Sequence, residues 1–85
     1  MGWYVYILRC SDDSLYTGVT NDLDSRLATH NSGKGAKYTA SRLPVSMVYK
    51  EPVGSKRAAL KRELQIKRLA KAEKQALIHG GRPTG

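Results

Sequence analysis

The sequence predicts an α+β domain with the element order β-β-α-β-α-α, and three observations point to it. Two runs of β-branched and aromatic residues stand close together near the start, Trp3-Tyr4-Val5-Tyr6-Ile7-Leu8 and Leu15-Tyr16-Thr17-Gly18-Val19-Thr20. A third strand-like run, Val45-Ser46-Met47-Val48-Tyr49-Lys50, comes later. Between and after these lie segments with capping residues and apolar positions at helical spacing.

The first two runs flank Ser11-Asp12-Asp13-Ser14, residue types that close turns, and so read as a β-hairpin. A hairpin alone is marginal in water, so the later segments must cover it. Tyr6 and Tyr16 are its side chains with chemistry to offer, because a phenol donates, accepts or exchanges a proton. The plainer reading is two half-buried strand tyrosines with their hydroxyls in water. With a two-residue Asp12-Asp13 turn, Tyr6 faces Val19 and Tyr16 faces Arg9, which puts the two phenols on opposite faces of the sheet. A shared site therefore requires an odd loop or a β-bulge between them.

The next segment, residues 21–33, reads as a short helix capped by Asn21, with Asp22 and Asp24 at its positive end and Gly33 as its stop. Leu23, Arg26, Leu27 and His30 share one face, so a cation and an imidazole ride on the side the leucines must bury. Arg26 as a snorkelling edge residue and His30 as a satisfied boundary residue are the plain alternatives. Residues 33–42 combine glycines, hydroxyls, Lys34, Lys37 and Arg42 with little aliphatic bulk and read as a basic loop. In such a loop the cations suit phosphates and Tyr38 suits a base or sugar. Pro44 stands at the beginning of the third strand, where no ladder donor is needed, and residues 51–54 end it.

Ser55 can cap a helix running from Lys56 to Arg68. On it Ala59, Glu63, Ile66 and Ala70 share a face, flanked by Leu60 and Leu64, while Arg57, Lys61, Arg62 and Arg68 point elsewhere. Glu63 is thus set into the apolar side and needs a partner, either a cation such as Arg26 or a bound metal. Leu69 falls outside the stripe, so a break is expected near residues 69–71, followed by a short helix over 72–79. The expected organisation is one domain over 1–79 and a flexible tail over 80–85.

Fifteen Lys and Arg against seven Asp and Glu give a net charge of +8, which favours an anionic partner, nucleic acid first among them. The single Cys10 leaves no internal disulfide or cysteine-based zinc site. The start Met1-Gly2-Trp3-Tyr4 shows no leader, and no stretch reaches membrane-spanning length, so a cytoplasmic protein with no membrane partner is expected.

Taken together, Tyr4-Val5-Tyr6, Tyr16-Thr17-Gly18 and then Arg26, His30 and Glu63 in order resemble the GIY-YIG nuclease family. The length, the basic loop and the run from Arg57 to Ile78 look most like its small stand-alone bacterial members, the uncharacterised YhbQ-like group. The resemblance implies a three-stranded antiparallel sheet flanked by helices and metal-dependent hydrolysis of DNA phosphodiester bonds, in repair or recombination. It implies a catalytic set of Tyr6, Tyr16, Arg26, His30 and Glu63, with Glu63 holding one divalent cation, Mg2+ or Mn2+. Tyr6 or Tyr16, its pKa lowered by nearby cations, would take a proton from the attacking water, with Tyr6 the commoner candidate for base and Tyr16 for positioning. Lys34, Lys37, Tyr38, Arg42, Lys61 and Lys67 are the expected nucleic-acid contacts. The chain departs from the family pattern at Tyr4 and Val5, at Thr17 where isoleucine is usual, at Val19 where some members carry lysine, and at Gln75 near the usual asparagine. No DNA-targeting domain is attached, so weak, shape-based binding or a protein partner is expected to supply specificity. The alternative is a binding module with the same fold and basic surface but little or no chemistry. RNA stays a candidate ligand for either, because a basic loop with a tyrosine does not distinguish the sugars.

Overall fold

A computed structural model describes residues 2–80. The chain forms β1 (Trp3–Arg9), β2 (Leu15–Thr20), α1 (Leu23–Asn31), α2 (Lys37–Ala40), β3 (Ser46–Val53), α3 (Lys56–Lys67) and α4 (Lys71–Gly80). The strands make an antiparallel sheet in the order β2-β1-β3, so the expected α+β fold holds, with β1 in the centre. The strand pairs predicted to be a hairpin are one.

β1 is apolar nearly throughout because both of its faces are covered. Val5 and Ile7 point to one side and pack with Ala59 and Ile66 of α3 and Leu77 of α4. Tyr6 and Leu8 point to the other and pack with Cys10 and Val45, beside Leu23 and Leu27 of α1. The two leucines of the first helix are therefore half-buried on the predicted face.

The hairpin register differs from that of a two-residue turn. Tyr6 pairs with Gly18 and Leu8 with Tyr16, which leaves Ser11-Asp12-Asp13 as an odd loop closed by the Cys10 N–H on the Ser14 carbonyl at 2.9 Å. Asp13 adopts φ 70°, the left-handed conformation such three-residue loops require and that aspartate tolerates better than most residues. This puts Tyr6 and Tyr16 on the same face of the sheet.

Several local expectations are corrected. Asp22, not Asn21, caps α1, accepting from the Ser25 N–H at 3.1 Å, because Asp22 is the last extended residue. Residues 33–42 are not all loop, since Lys37–Ala40 close one helical turn. β3 runs on to Val53 through Pro52, which an edge strand accommodates. Ser55 caps α3 as expected, on the Ala58 N–H at 3.1 Å. α3 ends at Lys67, so Ala70 is not part of its buried face, and Leu69 packs against the core after the break rather than pointing away from it. Gly80 closes α4 instead of opening the tail, and the rest of that expected tail, 81–85, lies outside the described residues. Among the described residues no helix is long and apolar enough to cross a membrane.

Candidate active site

β2 is an edge strand, and along it the end of α1, the loop before α2 and the middle of α3 converge on an open cleft of about 490 Å³. Tyr6, Tyr16, Arg26, His30 and Glu63 all line it, as does Lys34. The odd hairpin loop makes this possible by turning both phenols to one side. Gly18, opposite Tyr6, is needed as glycine: a Cβ there would sit 2.5 Å from the Tyr6 hydroxyl oxygen.

The centre of the site is a chain of hydrogen bonds with a definite direction. The Tyr6 hydroxyl lies 2.9 Å from His30 Nε2, and His30 Nδ1 lies 2.9 Å from Thr39 Oγ1. Thr39 donates its own proton to the Ala36 carbonyl at 2.9 Å, so its oxygen accepts from His30 Nδ1–H. In neutral His30, Nε2 is then the bare nitrogen, and the Tyr6 O–H donates to it. Burial, reinforced by the Arg26 guanidinium, pushes the His30 pKa down and keeps the ring neutral. Burial, helped by Tyr16, pushes the Tyr6 pKa up, and the opposing pull of Arg26 does not reverse it. The expected lowering by cations is thus overturned for Tyr6, because desolvation outweighs the nearby charge. The reading of Tyr6 as a half-buried tyrosine with its hydroxyl in water also fails, since the residue is 2 % exposed.

Tyr16 lies edge-on to His30, with ring centroids 5.4 Å apart, and stacks on Tyr38 at 6.1 Å. Tyr38 is already engaged: the Arg42 guanidinium lies 3.9 Å from its ring centroid. Arg42 is itself held by Asp12 at 3.0 Å and by the Tyr38 carbonyl at 2.8 Å. These contacts tie α2 to the hairpin loop, leaving Arg42 and Tyr38 less free for nucleic acid than the sequence suggested. Lys37 is exposed on α2 and Lys61 on α3, away from the cleft's centre. Gln75 lies on α4 and does not line the cleft.

Glu63 has an ion-pair partner, which is Lys67 one turn on at 3.2 Å rather than Arg26. Its side chain is 16 % exposed, so the carboxylate is reachable from the cleft. Among the described residues no group of three or more His, Cys, Asp and Glu is arranged to hold a metal. A single carboxylate nonetheless suits a small hard cation that takes its other ligands from water and substrate phosphate. In that mode Glu63 is the carboxylate that would hold such a cation.

Two residues of the site were missed in the sequence. Thr39 is fully buried and sets the His30 tautomer, and Gly35 lies so close to His30 Nδ1 that a Cβ would strike the ring. The signal for both was small and hydroxyl residues beside a histidine-bearing helix, too common to single them out.

The family model described as the GIY-YIG catalytic domain matches residues 2–76. The chain belongs to the GIY-YIG family. Its relatives in this family include a UPF0213 protein of Syntrophus aciditrophicus, 59% identical over 76 residues, covering 88% of this chain and 87% of that one. A UPF0213 protein of Staphylococcus haemolyticus is 52% identical over 75 residues, covering 88% of this chain and 92% of the relative. The solution structure of a UPF0213 protein from Bacillus halodurans is similar with a TM-score of 0.59 at 46% identity, covering 93% of this chain and 84% of that one. That of the E. faecalis protein EF2693 gives 0.65 at 36% identity, covering 100% and 91%. Membership in the GIY-YIG family implies a nuclease ancestry and a nucleic-acid substrate. GIY-YIG nucleases generally use a divalent metal.

Proposed function

We propose that the cleft is the active site of a divalent-metal-dependent endonuclease that hydrolyses DNA phosphodiester bonds, choosing substrates by structure or with weak sequence preference. The reading takes residues 1–79 as one catalytic domain working in the cytoplasm. The observation that carries it is the directional Tyr6–His30 hydrogen bond opening on the same cleft as Arg26 and Glu63.

Tyr6 acts as base through His30. As water attacks phosphorus, its proton passes to the Tyr6 oxygen while the Tyr6 proton moves to His30 Nε2, so no free phenolate has to form. A positioned acid–base pair of this kind is worth about 10²- to 10⁴-fold in rate. Arg26, exposed at the cleft, neutralises charge growing on the non-bridging oxygens. Tyr16 orients the phosphate from the next position on the same sheet face. Glu63 would hold the magnesium or manganese ion, which when bound supplies Lewis acidity to the phosphate and its leaving oxygen. For that, the Lys67 ammonium has to turn away from Glu63.

The same ion pair favours a second reading, a binding module in which Lys67 keeps Glu63 occupied and chemistry is slow. Cleavage of labelled DNA with magnesium, manganese or chelator separates the two. The nuclease reading expects turnover that needs metal and falls at least about 100-fold in Glu63→Ala, with binding retained. Equal trace activity in wild type and Glu63→Ala supports the binding module.

A further inference from the structure

Leu60 and Leu64 on α3 are 43% and 55% exposed, although the core lies on the opposite side of the same helix. Four residues apart, they form one apolar strip, and Leu60 continues into the cleft beside Glu63. Arg57, Lys61, Lys67 and Arg68 surround them, all exposed. At 100° per residue these six side chains fall on one outer face of the helix and its cap. Neither leucine belongs to the core cluster.

We propose that this face of α3 binds the nucleic-acid strand that leads to or from the cleft, with the leucines against sugar or base faces and the cations on flanking phosphates. The inference rests on reading the cleft as a nucleic-acid site and adds the surface that holds the flanking nucleotides. Charge complementarity chooses the occupant. A second copy docked symmetrically through this strip would oppose four cations with four, on chains that each carry +8. A polyanion with apolar sugar and base surface matches both halves of the face, and apolar wedges beside basic residues are a recurring way to grip nucleic acid. From Arg57 to Arg68 the helix spans about 16 Å, the axial length of roughly five stacked nucleotides.

The test is binding of labelled single-stranded and duplex DNA in chelator, titrated over salt, so the result does not depend on whether the protein cuts. Replacing both Leu60 and Leu64 by serine is expected to weaken binding about tenfold with the salt slope unchanged, because apolar contacts release no counterions. Changing Arg57 and Lys61 to glutamine is expected to flatten the slope by about one per cation. The arm in which the serine variant loses more affinity tells whether the leucines meet an open strand or a duplex groove. Affinity within twofold of wild type on both ligands, with unchanged thermal unfolding, overturns the proposal. Sedimentation showing a wild-type dimer that the serine variant dissolves also overturns it, by assigning the face to self-association. Failure of the cleavage assay alone would count against the nuclease reading and leave this surface standing.

Discussion

His30 sits where its two nitrogens meet different partners, and Thr39 decides which nitrogen carries the proton. Thr39→Val removes the acceptor for Nδ1–H with little change in shape. The ring is then expected to move its proton to Nε2, leaving Tyr6 without an acceptor and slowing cleavage at least about tenfold with DNA binding kept. Imidazole nitrogen shifts measured by NMR read the tautomer directly, and Thr39→Ser is expected to restore both signals. Persistence of the Nδ1–H tautomer in Thr39→Val would remove Thr39 from the account. Thr17 presents the opposite case: its buried hydroxyl has no hydrogen-bond partner among the described residues. Thr17→Val is expected to stabilise the protein by about 1 kcal/mol, since it removes a desolvated polar atom of nearly equal volume. Chemical denaturation measures this, and a loss of stability would mean that the hydroxyl has a partner.

At the scale of elements, the hairpin decides whether there is a site at all. Its odd loop, with Asp13 at φ 70°, rotates Tyr16 onto the face of Tyr6. The sequence announced two strands and a polar turn, and even stated what a shared site would need. It did not announce the loop length, because Ser11-Asp12-Asp13-Ser14 suits both registers and the choice is made by packing on both faces of β1. Gly18 ties that register to the chemistry. Gly18→Ala is expected to displace the Tyr6 ring, cost about 1–3 kcal/mol by overpacking and break the Tyr6–His30 bond. Unfolding curves together with the Tyr6 and His30 NMR signals check this, and an unchanged pair would show that the strand yields instead. α1 was legible from its apolar spacing although its cap falls on Asp22 rather than Asn21, and α3 from its Ser55 cap. The one-turn α2 was not, because a four-residue helix leaves no periodic trace and exists through its contacts with Arg42 and the hairpin loop.

On the scale of the whole molecule, the five expected catalytic residues come from four elements and line one cleft beside the sheet edge. Their order along the chain was readable, and so was their resemblance to one family. Their electrostatics were not, because the effect of burial on Tyr6 and His30 depends on what the rest of the fold lays over them. That burial gives stability a pH dependence. The folded His30 pKa lies below its ordinary 6.5, so at mildly acid pH the unfolded chain takes up a proton that the folded chain resists. The contribution is whole above 6.5 and is lost as pH falls below it. Thermal unfolding at about pH 7.5 and about pH 5 is expected to show a larger fall for wild type than for His30→Gln. Equal falls would mean that His30 titrates alike in both states.

The most direct measurement is single-turnover cleavage of labelled single-stranded, duplex and branched DNA by wild type, Tyr6→Phe and Glu63→Ala, with magnesium, manganese or chelator. The account predicts metal-dependent cutting of at least one of these substrates, reduced at least about 100-fold in each variant while binding survives. Metal-independent trace cutting that is the same in all three proteins would contradict it.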